Sequence, residues 1–204
     1  MSTSILPMAD MLSPLEPNPK QFDRRHVPPE GPLEAPRLYL VGEAPGATEA
    51  EMGRPFVGPA GKTLRRLLSE AGADLAHVRI SNAVPYRPIV RAEAGIIRNR
   101  KPSVREIRHF GKAVLADIAH TKPAVIVALG ASAATLFDVP LPITEARLGS
   151  FLFDGTLLRV TYHPAYLLRA AGQKTDLWQQ ARSDLRRFWD EAQEIEQTLQ
   201  SDRA

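Results

Sequence analysis

Leu38-Tyr39-Leu40-Val41-Gly42-Glu43-Ala44-Pro45-Gly46 is an apolar run that stops on a glycine–proline turn. Three more runs share its texture, at residues 78–84, 125–129 and 157–161. Each is short, rich in branched residues, and followed by a turn or a helix-like segment. That is the pattern of parallel strands covered on both faces. The intervening stretches carry helical signals. Residues 60–70 place Leu64, Leu67 and Leu68 on one side, and Ser103 with Glu106 forms a capping box that opens a helix with Ile107, Val114, Leu115 and Ile118 inward. Residues 131–137 follow directly on a strand, and residues 176–199 repeat apolar positions from Leu177 to Ala192 as a packed C-terminal helix. This α/β alternation predicts a three-layer α/β/α sandwich with a short, mainly parallel central sheet of about four strands.

Outward from this core, the texture changes. Residues 1–36 hold eight of the 18 prolines: Pro7, Pro14, Pro17, Pro19, Pro28, Pro29, Pro32 and Pro36. Proline removes a backbone donor and disfavours helix at the preceding residue, so this extension is expected to be extended over the surface or partly disordered. Residues 37–204 form the expected folded domain. One long connection, residues 85–102, carries Arg87, Arg91, Arg98, Arg100 and Lys101 against a single acid, Glu93. It reads as a solvated basic loop or as a surface that contacts phosphate.

The bulk properties exclude several classes. The 44% hydrophobic and 24% charged fractions are those of an ordinary globular chain, and the net charge of +3 permits a nucleic-acid partner without requiring one. No run approaches the ~18 apolar residues of a membrane span, and no basic-then-apolar leader is visible. The expectation is a soluble, cytoplasmic protein with no membrane partner, acting as a monomer. There is no cysteine, so disulfides, thiolate zinc sites and cysteine-ligated iron–sulfur clusters are excluded within this chain, and no metal or other cofactor is expected. Gly61-Lys62-Thr63 suggests a phosphate-binding loop, but Phe56 stands where that motif needs its first glycine.

In open α/β sheets ligands bind beyond the carboxyl ends of the strands. The turn at residues 42–46, Asn82 and His163 all fall there. Glycines in such a turn let backbone amides approach a ligand closely. Phe56, held between prolines and glycines away from any amphipathic stripe, is either ordinary core or a flat platform for a base. Asn82 either satisfies a neighbouring turn or offers a donor and acceptor pair that complements N3–H and O4 of uracil and mismatches cytosine. His163, stiffened by Pro164, points outward from a strand end.

At these residues the chain resembles the uracil-DNA glycosylase superfamily, and most closely its family 4. The matching segments are GEAPGATEAEMGRPFVGPAGKTL at residues 42–64, Ser81-Asn82, RNRKPSVREI at 98–107, KPAVIVALGASAA at 122–134 and TYHPAYLLR at 161–169. They span about residues 37–189. The resemblance implies excision of uracil from single- or double-stranded DNA by hydrolysis of its glycosidic bond. Phe56 would stack on the flipped base, Asn82 would read its edge, and His163 would stabilise charge on its O2. Gly42 and Ala44 would line the base, while Glu43 and Glu49 would order water or stabilise the sugar cation. Tyr166, Leu167 and Leu168 stand where a wedge could enter the vacated stack, with Arg169 meeting phosphate; some of these leucines could equally be core.

Three departures limit what carries over. Family 4 enzymes normally hold an iron–sulfur cluster on four cysteines, and here Tyr86 and Phe110 occupy two of those positions. The expectation is that bulky aromatics and the proline-rich segment replace the cluster as packing. Ala44 stands where another branch has a water-activating aspartate, which asks more of Glu43 and Glu49. Residues 89–98 look inserted and carry no histidine, so turnover is expected rather than covalent trapping. The alternatives are another damaged or mispaired base (hypoxanthine, xanthine, thymine) or a module that binds without cutting.

Overall fold

The computed structural model describes residues 17–170 and 176–202. Five strands form the central sheet: β2 (Leu38–Gly42), β3 (Val78–Asn82), β6 (Val125–Leu129), β7 (Phe151–Phe153) and β8 (Thr156–Thr161), in the order β3-β2-β6-β8-β7. The first four in that order run parallel, as the continuous apolar runs predict. The fifth, β7, is antiparallel to β8 and joined to it by Asp154-Gly155, both with positive φ. That Asp-Gly pair is a hairpin signal within an otherwise parallel pattern, and it accounts for the strand beyond the expected four.

Alternate residues serve the two faces. Leu38, Leu40, Val125 and Val127 join one core with Leu64, Leu67, Leu185 and Phe188 of helices α2 (Pro59–Glu70) and α7 (Asp176–Ser201). Tyr39, Val41, Ile126 and Ala128 join the other with Ile107, Val114, Ile118 and Ala133 of α3 (Val104–Thr121) and α4 (Gly130–Leu136). The result is the α/β/α sandwich. Short helices α1 (Ala47–Met52), α5 (Ile143–Ala146) and α6 (Pro164–Ala170) complete it.

Residues 85–102 are not a loop. They form a hairpin, β4 (Tyr86–Arg91) and β5 (Ile97–Asn99), and β1 (Phe22–His26) adds to it as a third antiparallel strand. Gly95, with φ of 74°, lies in its turn. Phe22 packs on Phe110 at 5.2 Å and Tyr86 on Phe110 at 5.5 Å, so one aromatic cluster joins β1, β4 and α3. Beyond β1 the chain runs extended along β3, where Glu30 pairs with Ile80 through reciprocal backbone bonds. A buried Arg79–Asp117 ion pair, to which Tyr39 also donates, reaches out to the carbonyl of Gly31 at 2.8 Å and clamps this segment. The expectation for residues 1–16 lies outside the described residues.

Candidate functional site

The strand ends do converge. A cleft of about 530 Å³ opens at the carboxyl edge of the sheet, lined by Glu43, Ala44, Glu49, Phe56, Asn82, His163, Leu168 and Arg169 from one side. Pro88, Asn99, Arg100 and Lys101 from the hairpin and its exit line the other.

Phe56 is held in a left-handed conformation, φ 52°, which costs a phenylalanine roughly 1–3 kcal/mol. Its ring is buried and joins the core, yet one part walls the cleft, so it belongs to both. The ring presses against Gly42. A Cβ there would lie 2.5 Å from Phe56 Cζ and 2.6 Å from Asn82 Oδ1, so only glycine lets ring and amide sit so close. Asn82 is the last residue of β3, buried, with its amide lining the cleft.

His163 immediately precedes α6 and faces Phe56, ring centroids 6.0 Å apart. The backbone N–H of Ala165 donates to Nδ1 at 3.1 Å. A backbone amide can only donate, so Nδ1 is the acceptor and the ring proton resides on Nε2. Burial, with a smaller contribution from the nearby Arg169 charge, lowers the His163 pKa to about 4. At neutral pH the site therefore presents a neutral imidazole with one N–H donor. Gly130, just past β6, lets this histidine approach: a Cβ there would lie 2.7 Å from His163 Cβ.

The two glutamates differ. Glu43 accepts a hydrogen bond from the buried Ser132 hydroxyl of α4 through Oε2, and no described group bonds Oε1. Glu49 is committed on both oxygens: Oε1 accepts from the Gly58 amide at 2.8 Å and Oε2 from the Gly46 amide at 3.2 Å. Those glycines precede α1 and α2, so Glu49 fastens the turn at residues 42–46 to the loop carrying Phe56. Both oxygens of a residue expected to be catalytic are thus engaged in joining two loops.

The expected DNA-contacting residues separate into groups. Lys101 and Arg169 line the cleft, and neither forms an ion pair among the described residues. Arg100 also lines it, but its guanidinium is engaged with Glu106 at 2.6 and 2.8 Å and lies over the Phe22 ring. Arg87 bonds Asn99 across the hairpin at 2.6 Å, while Arg91 and Arg98 are exposed near its tip. Leu167 is a correction: it is 6% exposed and belongs to the core, because α6 turns that position onto α2. Leu168 and Tyr166 remain exposed. Ser132 and Gly130 went unassigned from the sequence, where only their place after a strand could have marked them.

The family's cluster does not fit this chain. No cysteine exists to hold it, and the rings of Phe22, Tyr86 and Phe110 pack edge to face against one another. Among the described residues no group of three or more His, Asp or Glu side chains could hold a metal ion, and no helix is long and apolar enough to cross a membrane.

A family model for the uracil DNA glycosylase superfamily matches residues 28–186. The type-4 uracil-DNA glycosylase of Thermotoga maritima is 41% identical over 143 residues, covering 69% of this chain and 70% of that protein. That of Pyrobaculum aerophilum is 34% identical over 158 residues, covering 73% and 76%. The crystal structure of wild-type Pedobacter heparinus SMUG2 superposes with a TM-score of 0.52 at 13% identity, covering 83% of this chain and 77% of that one, a likeness of fold.

Proposed function

The chain belongs to the uracil-DNA glycosylase superfamily, and from that premise we propose how its cleft releases the base. It is a DNA-repair hydrolase that cleaves the N-glycosidic bond of uracil in DNA and leaves an abasic site. An enzyme acting on a base must take it out of the stack, at a cost of a few kcal/mol that is least for single strands and mismatches. Uracil in single strands and opposite guanine is therefore the preferred substrate. The extruded base lies against Phe56. Asn82 donates to its O4 and accepts from its N3–H, a pairing cytosine cannot return.

The N1–C1′ bond breaks with its electron pair on uracil, leaving a uracil anion and an oxocarbenium-like sugar. Water then adds to C1′ and gives up a proton. His163 donates from Nε2 to the developing charge on O2, and stays a donor because it is neutral. A preorganised donor of this kind is worth about 10²–10³ in kcat. Glu43, with Ser132 holding one oxygen, turns the other towards the sugar cation and the incoming water. Glu49 keeps the turn and the Phe56 loop in register. The chain works as a monomer, needs no cofactor, and leaves no protein–DNA adduct.

The observation that carries this reading is the Ala165 amide bond to His163 Nδ1, which fixes the donor tautomer inside a cleft shared with Phe56 and Asn82. It is tested by incubating oligonucleotides bearing uracil single-stranded, opposite adenine and opposite guanine, with hypoxanthine, xanthine and mispaired thymine alongside. Abasic product at uracil, reduced about 10²–10³-fold in His163→Ala, is the expected result. Tight binding without abasic product would make the chain a binding module, and a denaturation-resistant adduct would contradict turnover.

A further inference from the structure

A second cleft of about 570 Å³ adjoins the first. The two share Glu43, Lys101, His163, Ala165 and Arg169 as common wall. Helix α6 forms the ridge between them: Leu168 lines the first cleft and Tyr166 the second. Tyr166 is 37% exposed, and its ring rests on Tyr162, centroids 5.9 Å apart. Tyr162 is itself fixed, donating from its hydroxyl to Gln180 at 3.0 Å and carrying the Arg147 guanidinium over its ring. The second cleft thus offers a prebuilt aromatic face. Pro142 and Ile143 supply an apolar wall.

We propose that this second cleft is a subsite for the nucleotide adjacent to the extruded one, whose base stacks on Tyr166. The inference rests on the glycosylase reading for the identity of the first site. Lys101 and Arg169 border both clefts without ion pairs among the described residues, and they stand where the phosphodiester joining two neighbouring nucleotides must pass. Every base has a π-face, so the subsite tolerates any sequence. It takes only a base freed from its partner strand, and so it selects single-stranded or locally melted DNA. Tyr166 is then a specificity-determining residue and not a wedge, and the wedge role falls to Leu168 alone.

The test measures binding and cleavage separately. Short single strands carry 2′-fluoro-deoxyuridine, which resists excision, with a natural base or an abasic spacer placed on each side in turn. Their Kd values are measured for the wild type, Tyr166→Ala and Tyr166→Trp. A spacer on one side is expected to weaken wild-type binding about 5- to 150-fold, the worth of one stacked base. The same spacer leaves Tyr166→Ala unaffected, Tyr166→Trp keeps the dependence, and a spacer on the other side has no Tyr166-linked effect. Wild-type binding indifferent to both spacers overturns the subsite, and so does a Tyr166→Ala defect of equal size with and without the neighbouring base. Release of uracil from ordinary strands is scored independently. Its absence beside a positive binding result refutes the glycosylase reading and leaves the subsite standing.

Discussion

The two walls of the cleft are held in place by different means. One hangs from the carboxyl edge of the parallel sheet, where Gly42 and Asn82 end buried strands and His163 stands two residues past the end of β8. Its precision comes from close approach: Gly42 admits the Phe56 ring and Gly130 admits His163. The other wall is the antiparallel β1–β4–β5 sheet, which brings Pro88, Asn99 and Arg100 to the cleft and is held by Phe22, Tyr86 and Phe110 packing edge to face. The contrast separates chemistry from support. Steric fit fixes the groups proposed to be catalytic, and apolar burial fixes the wall proposed to meet DNA. Perturbing each wall should therefore give a different signature.

The largest effect is expected at the support. Phe22 is 3% exposed and contacts Phe110, with the Arg100 guanidinium over its ring. Phe22→Ala is expected to cost about 3–5 kcal/mol of stability, a fall in Tm of roughly 10 °C. Among folded molecules kcat stays within a few-fold while KM for DNA rises. Calorimetry with steady-state kinetics checks this, and a collapse of kcat in folded protein would show that the two walls are not separable.

Next comes the pH dependence of the catalytic wall. The folded pKa of His163 lies near 4, below the unfolded value near 6.5. Between those values the unfolded chain binds the extra proton, so stability is full above pH 6.5 and is lost as pH falls towards 4, by up to roughly 3 kcal/mol. His163→Gln removes this slope. In the folded chain the imidazole stays largely neutral from about pH 5 upward, so kcat shows no inflection from His163 between pH 5 and 7. Denaturant melts and rate profiles across pH 4–8 measure both, and a His163-dependent inflection near pH 6.5 would refute the desolvated histidine.

These expectations follow the division between what was legible in the sequence and what was not. Strands, layers and the sheet-side lining of the cleft were legible because each depends on local pattern: an apolar run, a turn, a strand end. The hairpin was not. Pro88 sits inside β4 and proline argues against a strand, yet here it meets Phe22 across the edge pair with β1 while Ile89 donates to the Gln21 carbonyl. That pairing links residues far apart in the chain. Ser132, Gly130 and the burial of Leu167 were hidden for the same reason, since each acquires its role from a neighbour supplied by another element.

Gly42→Ala tests the steric account directly. The added Cβ would fall 2.5 Å from the Phe56 ring and 2.6 Å from the Asn82 amide, so both must shift by the better part of an ångström. Misplacement on that scale costs about 10²-fold in rate. The loss should fall on kcat/KM for uracil release, with non-specific DNA binding and the aromatic cluster of the far wall undisturbed. Stopped-flow excision and titration with undamaged DNA distinguish these, and unchanged kcat/KM would mean that neither ring nor amide touches the base.

The smallest effect expected is at Glu49, and it decides whether this carboxylate is chemistry or scaffold. Its two oxygens accept from Gly46 and Gly58, joining the turn that carries Glu43 to the loop that carries Phe56. A glutamine keeps the length and one acceptor, and loses the second acceptor and the charge. If Glu49 only braces, Glu49→Gln gives up one bond, a loss of about 10-fold in kcat/KM. Its pH profile then matches the wild type, and Glu49→Ala is markedly worse because both loops come loose. If Glu49 activated water, glutamine and alanine would be equally inactive. The bracing geometry commits both oxygens already, which leaves Glu43, with its second oxygen unbonded by any described group, as the carboxylate able to face the sugar.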